Sequence, residues 1–331
     1  MGFFIKKFKG KTMATNTSDQ VEKQTTALVL SGGGSKGAFQ VGALEVLKDA
    51  GFTFDTISGV SVGSLNGAML ATDQLDKLIN VWQHITPNQV LRKHSLVSLA
   101  RQYLTYKIGI SAPPVSRYTN KPLKELMQRH LVGQKIRIPF HFGYVKLESG
   151  KYIQAVIRQS DGHLINQNDL NRVLASTAIP VYFNPVHLGN STDVDGGLRN
   201  ISPIKEVLAY HPDRLIIIPT RPLNKEPAAT DLRDILDIAF RSINIMLDEI
   251  FHGDIDRFLV INRLAQQAEK QDITLTKSDG SSYKYIKPII IDPKDSLGDG
   301  LDFSNHRVRE MLDLGRQRAR EVLKKLEWTA E

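Results

Sequence analysis

A chain of 331 residues, 41% hydrophobic and 24% charged, carries enough apolar material for a sizeable core and none of the compositional bias of disordered, collagen-like or disulfide-rich proteins. The absence of cysteine excludes disulfides, thiolate zinc sites and a cysteine nucleophile. A formal net charge of +8 favours anionic surfaces such as phospholipid headgroups or nucleic acid through long-range attraction.

Residues 1–24 read as a flexible basic segment and linker. Phe3, Phe4, Ile5 and Phe8 are combined there with Lys6, Lys7, Lys9 and Lys11, a mixture suited to a membrane interface. The apolar stretch falls short of the roughly 7–15 residues of a secretory signal, and no run reaches the ~18 of a spanning helix. Lys6 stands where a myristoylation pattern requires Ser or Thr. The expectation is a cytoplasmic protein with peripheral membrane contact.

Ala27 to Leu30 reads as a buried strand, followed by glycines and then by Ala38, Val41, Leu44 and Leu47 at helical spacing. Gly51 ends that helix, Phe52 to Ser58 reads as a second strand, and a second helix starts near Ser61. Residues 86–121 break the pattern with apolar and basic side chains, and read as a candidate lid or insertion. Ile138 to Leu147 and Tyr152 to Arg158 form an expected hairpin; Leu215 to Ile218 and Ile289 to Ile291 are further buried strands. The helix around Asp231 to Glu249 carries a stripe from Leu232 to Ile250 that reads as core. A final helix turns Val308, Met311, Leu312, Ala319, Val322 and Leu326 inward. Alternating strands and helices imply a mostly parallel sheet in one α/β domain over residues 25–331, with reactive groups at the strands' carboxyl ends.

Both glycine turns fall at that edge. Gly59-Val-Ser61-Val-Gly63 matches G-x-S-x-G, the strained strand-to-helix turn that lifts a serine hydroxyl clear of the backbone. Three fixed positions arise by chance in about one chain of this length in ten, so the flanking strand and helix carry as much weight as the motif. Ser31-Gly-Gly-Gly-Ser-Lys-Gly37 also fits the dinucleotide fingerprint, but no acidic residue ends the second strand to hold a ribose. A Walker A loop fails because Ala38 stands where Lys is required. The loop serves better as an anion cradle, and beside a nucleophilic serine as an oxyanion hole. For a base, Thr192-Asp-Val-Asp-Gly-Gly197 offers Asp193 and Asp195; Asp195, directly before the glycines, is the better placed.

Leu30-Ser-Gly-Gly-Gly-Ser-Lys-Gly37, Gly59-Val-Ser-Val-Gly63 and Asp195-Gly-Gly197, in that order, resemble the signature blocks of patatin-like phospholipases. The resemblance runs from about Ala27 to Pro203. It implies a three-layer α/β sandwich, hydrolysis of acyl esters of glycerolipids through an acyl-enzyme, no cofactor and no metal. Carried over by position, it makes Ser61 the nucleophile and Asp195 the base. Gly33 and Gly34, with Gly32 adjacent, supply the oxyanion hole, and Lys36, Gly37, Gly59, Gly63, Gly196 and Gly197 support the motifs. Its partner would be an acyl-ester lipid rather than nucleic acid. Two rival readings remain open: an α/β-hydrolase triad recruiting His252 or His306, and a non-catalytic membrane- or anion-binding protein.

Overall fold

The computed structural model describes residues 24–93, 103–104, 107, 116–160, 162–224 and 235–328. The expected N-terminal segment and most of the candidate lid therefore lie outside the described residues. The strands are β1 (Thr26–Leu30), β2 (Thr56–Gly59), β3 (Arg92–Lys93), β4 (Ser116–Thr119), β5 (Phe140–Lys146), β6 (Lys151–Ile157), β7 (Val181–Phe183), β8 (Val186–Leu188), β9 (Ser191–Asp195), β10 (Arg214–Ile218) and β11 (Lys287–Ile290). The helices are α1 (Gly37–Asp49), α2 (Val62–Ala71), α3 (Leu75–His84), α4 (Pro87–Val90), α5 (Lys121–Leu131), α6 (Gln167–Ser176), α7 (Ile204–Leu208), α8 (Ile235–Glu269) and α9 (Asn305–Lys325).

The main sheet runs β11-β10-β1-β2-β5-β9-β8, with β6 also on β5. Its β11 to β5 portion is parallel, and β6, β9 and β8 are antiparallel. β1 is apolar throughout its centre because both of its faces are covered: Leu28 and Leu30 enter one core with α1 and α9, while Ala27 and Val29 enter another with α7 and α8. The result is the three-layer α/β sandwich with a mostly parallel sheet. β3, β4 and β7 form a small separate sheet.

β5 positions the site. Its first half pairs with β2 and its second half with β9, while β6 takes the opposite edge. Gly59 is registered with Phe142 and Asp195 with Tyr144. Two strand residues, about 7 Å, thus separate the carboxyl ends of β2 and β9.

Three expectations need correction. β2 begins at Thr56 rather than Phe52, whose ring instead stacks on Trp328 with centroids 4.2 Å apart. α8 runs to Glu269, and its first half is not core: Met246 is 52% exposed and Leu247 only half-buried. Its buried face starts at Phe251 and continues through Ile255, Phe258 and Ala265. A helical period fixes which residues share a face, not whether anything covers that face. Leu326, expected inward, is 37% exposed where α9 ends. No helix among the described residues is long and apolar enough to cross a membrane.

Candidate active site

Ser61 is the N-cap of α2, with φ 54° and ψ −128°. Such backbone costs about 1–3 kcal/mol at a non-glycine residue and persists only where neighbours enforce it. Three contacts do so. Gly63 N–H donates to Val60 O at 2.9 Å, Ser64 Oγ donates to Ser61 O at 2.6 Å, and Ser61 N–H donates to Ser176 Oγ at 3.2 Å. The flanking glycines are required by close approach. A Cβ on Gly59 would collide with the Gly63 carbonyl, and one on Gly63 with the Leu30 carbonyl.

The glycine-rich loop passes from β1 through a 3-10 turn, Gly34–Lys36, into α1. Gly32 N–H donates to Ile201 O at 3.1 Å, Thr220 Oγ1 donates to Gly32 O, and Ser35 N–H donates to Gly300 O at 2.7 Å. Gly32, expected among the oxyanion donors, therefore has its N–H already committed. The N–H groups of Gly33 and Gly34 have no protein partner among the described residues. The segment that occupies Gly32 is itself braced: Asp254 Oδ2 accepts the Ile201 and Ser202 N–H groups at 3.1 and 3.3 Å, and Ser202 Oγ shares a 2.7 Å hydrogen bond with Ser31 Oγ.

Asp195 closes β9 and is buried. Its Oδ1 accepts the Gly197 N–H at 2.7 Å, which fixes the plane of the carboxylate. Oδ2 has no partner within hydrogen-bond geometry, although the Ser61 hydroxyl is near enough to pull the pKa down. Burial is the larger effect and pushes Asp195 up to about 7. Asp193 is also buried but accepts from Ser191 Oγ at 2.6 Å and lines neither cavity at Ser61.

Those two cavities meet at Gly34, Ser61, Ile179 and Leu301. One, of about 790 Å³ including its mouth, is apolar: it descends α2 past Val62, Leu65 and Met69 towards Trp82 and, on α5, Leu123 and Met127. Asn66, one of the polar residues of its wall, is internally satisfied. Its Nδ2 donates to Gly37 O and Gln40 Oε1, both at 3.0 Å, and its Oδ1 accepts Trp82 Nε1–H at 2.9 Å. The other cavity, about 660 Å³, is lined by Gly32 to Gly34, Lys36, Asp195, Gly197 and Arg221 among others. Ser61, Asp195, the three loop glycines, Lys36 and Gly197 therefore share one site, although they come from three separate stretches of chain. His252 and His306 line neither cavity; His130, which no motif singled out, lines the apolar one. Burial, then Arg129 and Lys77, hold its pKa below the usual histidine value. Ser176, Thr220, Asp254 and Arg221 also escaped the sequence reading. Each is isolated in sequence and enters the site only through tertiary packing.

Three likenesses accompany this geometry. YqhO of Bacillus subtilis is 27% identical over 198 residues, 53% of this chain and 64% of its own length. Lysophospholipase nte1 of Aspergillus terreus is 46% identical over 50 residues, 15% of this chain and 3% of its own. This chain therefore spans less than two thirds of either relative. VipD from Legionella pneumophila aligns over 92% of this chain and 67% of its own, with 13% identity and a TM-score of 0.45. The family described as Patatin-like phospholipase matches residues 28–208, more than half of the sequence, and the chain belongs to that family.

Proposed function

We propose that this protein is a serine lipid acyl hydrolase working through a Ser61–Asp195 dyad. The observation that carries the reading is Ser61 itself: a strained serine lining an apolar cavity, with a buried carboxyl of near-neutral pKa lining the adjoining one. The ionised Asp195 takes the Ser61 hydroxyl proton as Oγ attacks the ester carbonyl. Gly33 and Gly34 N–H groups, aided by the positive end of α2, hold the oxyanion. The proton then passes from Asp195 to the departing alkoxide, leaving an acyl-enzyme. Water, deprotonated by Asp195, releases the fatty acid and restores Ser61.

The apolar cavity supports an acyl chain as the group transferred, because its mostly hydrocarbon wall rewards hydrocarbon at roughly 25 cal/mol per Å². Family membership and the lysophospholipase name of one relative point to glycerolipid esters. The test is ester hydrolysis by purified variants checked for folding. Ser61→Ala and Asp195→Asn are expected to lose activity by at least about 10³-fold, in line with removal of other dyad or triad members. Activity retained in Ser61→Ala would refute the assignment.

A further inference from the structure

Arg221 stands just beyond the carboxyl end of β10 with its side chain 11% exposed, and α8 presents Asp248 Oδ1 to its Nε at 2.5 Å. Its Nη1 is buried without a partner among the described residues. A guanidinium carries five donors in a fixed fork, and leaving one buried and unmet costs free energy unless a ligand accepts it. Lys36 lines the same cavity, and its side-chain ammonium makes no ion pair or hydrogen bond among the described residues. Burial, then repulsion from Arg221, lower its pKa to about 8. Of the carboxylates acting on Lys36, Asp248 holds Arg221, and Asp299, which lines the cavity as well, accepts the Leu301 N–H through Oδ1 at 3.0 Å. Arg307, another cation acting on Lys36, pairs with Glu310.

With the apolar cavity taking the acyl chain, the second cavity faces the alcohol side of the ester. Granting the Ser61 reading, we infer that Arg221, oriented by Asp248 and joined by Lys36, forms an anion subsite that takes the phosphate of the substrate, and that Arg221 is the residue setting any preference for a phosphate-bearing glycerolipid over a neutral glyceride. The planar fork of Arg221 suits two phosphate oxygens at once, whereas Lys36 acts as a point charge.

The test compares kcat/KM for lysophosphatidylglycerol and for monoacylglycerol of the same acyl chain, in the same mixed micelles. Wild type is expected to prefer the phospholipid, and Arg221→Gln to reduce that preference about 10–100-fold, the range of one charged hydrogen-bonding partner. Arg221→Lys restores it only in part. An unchanged preference, or a wild type that favours the neutral ester, overturns the assignment. Melting curves verify folding, and Lys36→Gln carries the same ratio measurement should Arg221→Gln not fold. Inorganic phosphate, titrated against monoacylglycerol hydrolysis, separates the two sources of the anion: inhibition that depends on Arg221, without any phospholipid preference, means a free-anion site and overturns the headgroup role. Should wild type hydrolyse neither ester, the Ser61 reading fails on its own. The subsite is then decided by equilibrium binding of lysophosphatidylglycerol and monoacylglycerol to Ser61→Ala, where adding Arg221→Gln is expected to weaken only the former, about tenfold or more.

Discussion

Asp195 illustrates how one residue's surroundings set both chemistry and stability. As the proposed base it must be ionised, so kcat/KM is expected to rise with pH through about 7 and to level off above, an acidic limb that Asp195→Asn removes along with the activity. Stability moves the other way. A carboxyl raised from 3.8 to about 7 in the folded state binds its proton more tightly there than in the unfolded chain. Its contribution is complete below pH 4 and is lost as pH rises through about 7. Asp195→Asn is therefore expected to melt at higher temperature than wild type at pH 8, by an effect on the order of a few kcal/mol, and to match it more closely at pH 4. Thermal melts at the two pH values check this. At the same scale, His252→Ala and His306→Ala are expected to hydrolyse esters within about twofold of wild type, since neither side chain lines a cavity at Ser61. A folded but inactive histidine variant would restore the triad.

Among the elements, α2 does two jobs: its first turn frames Ser61 and its inner face forms one wall of the apolar cavity. Met69 lies eight residues beyond Ser61, about 12 Å along the helix at 1.5 Å per residue. Met69→Trp is thus expected to lower kcat/KM for long-chain esters about tenfold or more while sparing a short-chain ester, as a p-nitrophenyl ester series would reveal. Equal losses for all chain lengths would mean that the cavity is not the acyl site. The motif residues of this region were legible in the sequence because backbone crowding admits only glycine at Gly59 and Gly63. The apolar stripe of α8 was misread because its pattern continues from the exposed Met246 to the buried Phe251 without a break in period. Gly32 could not be separated from its neighbours either. Only the arrival of the Ile201 carbonyl, more than a hundred residues later, occupies its N–H.

Over the whole molecule, the strand and helix order was readable as an α/β sheet from hydrophobic runs alone, whereas the route by which Asp195 reaches Ser61 was not. It depends on β5 pairing with β2 by one half and β9 by the other, a register no local pattern encodes. The C-terminal region is joined to the N-terminal layer in a similarly nonlocal way. Trp328 stacks on Phe52, donates its Nε1–H to Ala50 O at 3.3 Å and lies under Arg214, whose guanidinium carbon is 4.5 Å from the ring centroid. Trp328→Ala is expected to cost about 2–3 kcal/mol in denaturant unfolding, below the 3–5 typical of a fully buried tryptophan, with ester hydrolysis retained because none of these groups lines the site.

Covalent labelling tests the proposed activation of Ser61 by Asp195 without knowledge of the natural lipid. Folded wild type treated with a long-chain alkyl fluorophosphonate is expected to gain one adduct by intact mass, on the peptide that contains Ser61. Ser61→Ala should gain none, and Asp195→Asn should react at least about 10²-fold more slowly. An unlabelled folded wild type, or an adduct that persists in Ser61→Ala, would contradict a nucleophilic role for Ser61.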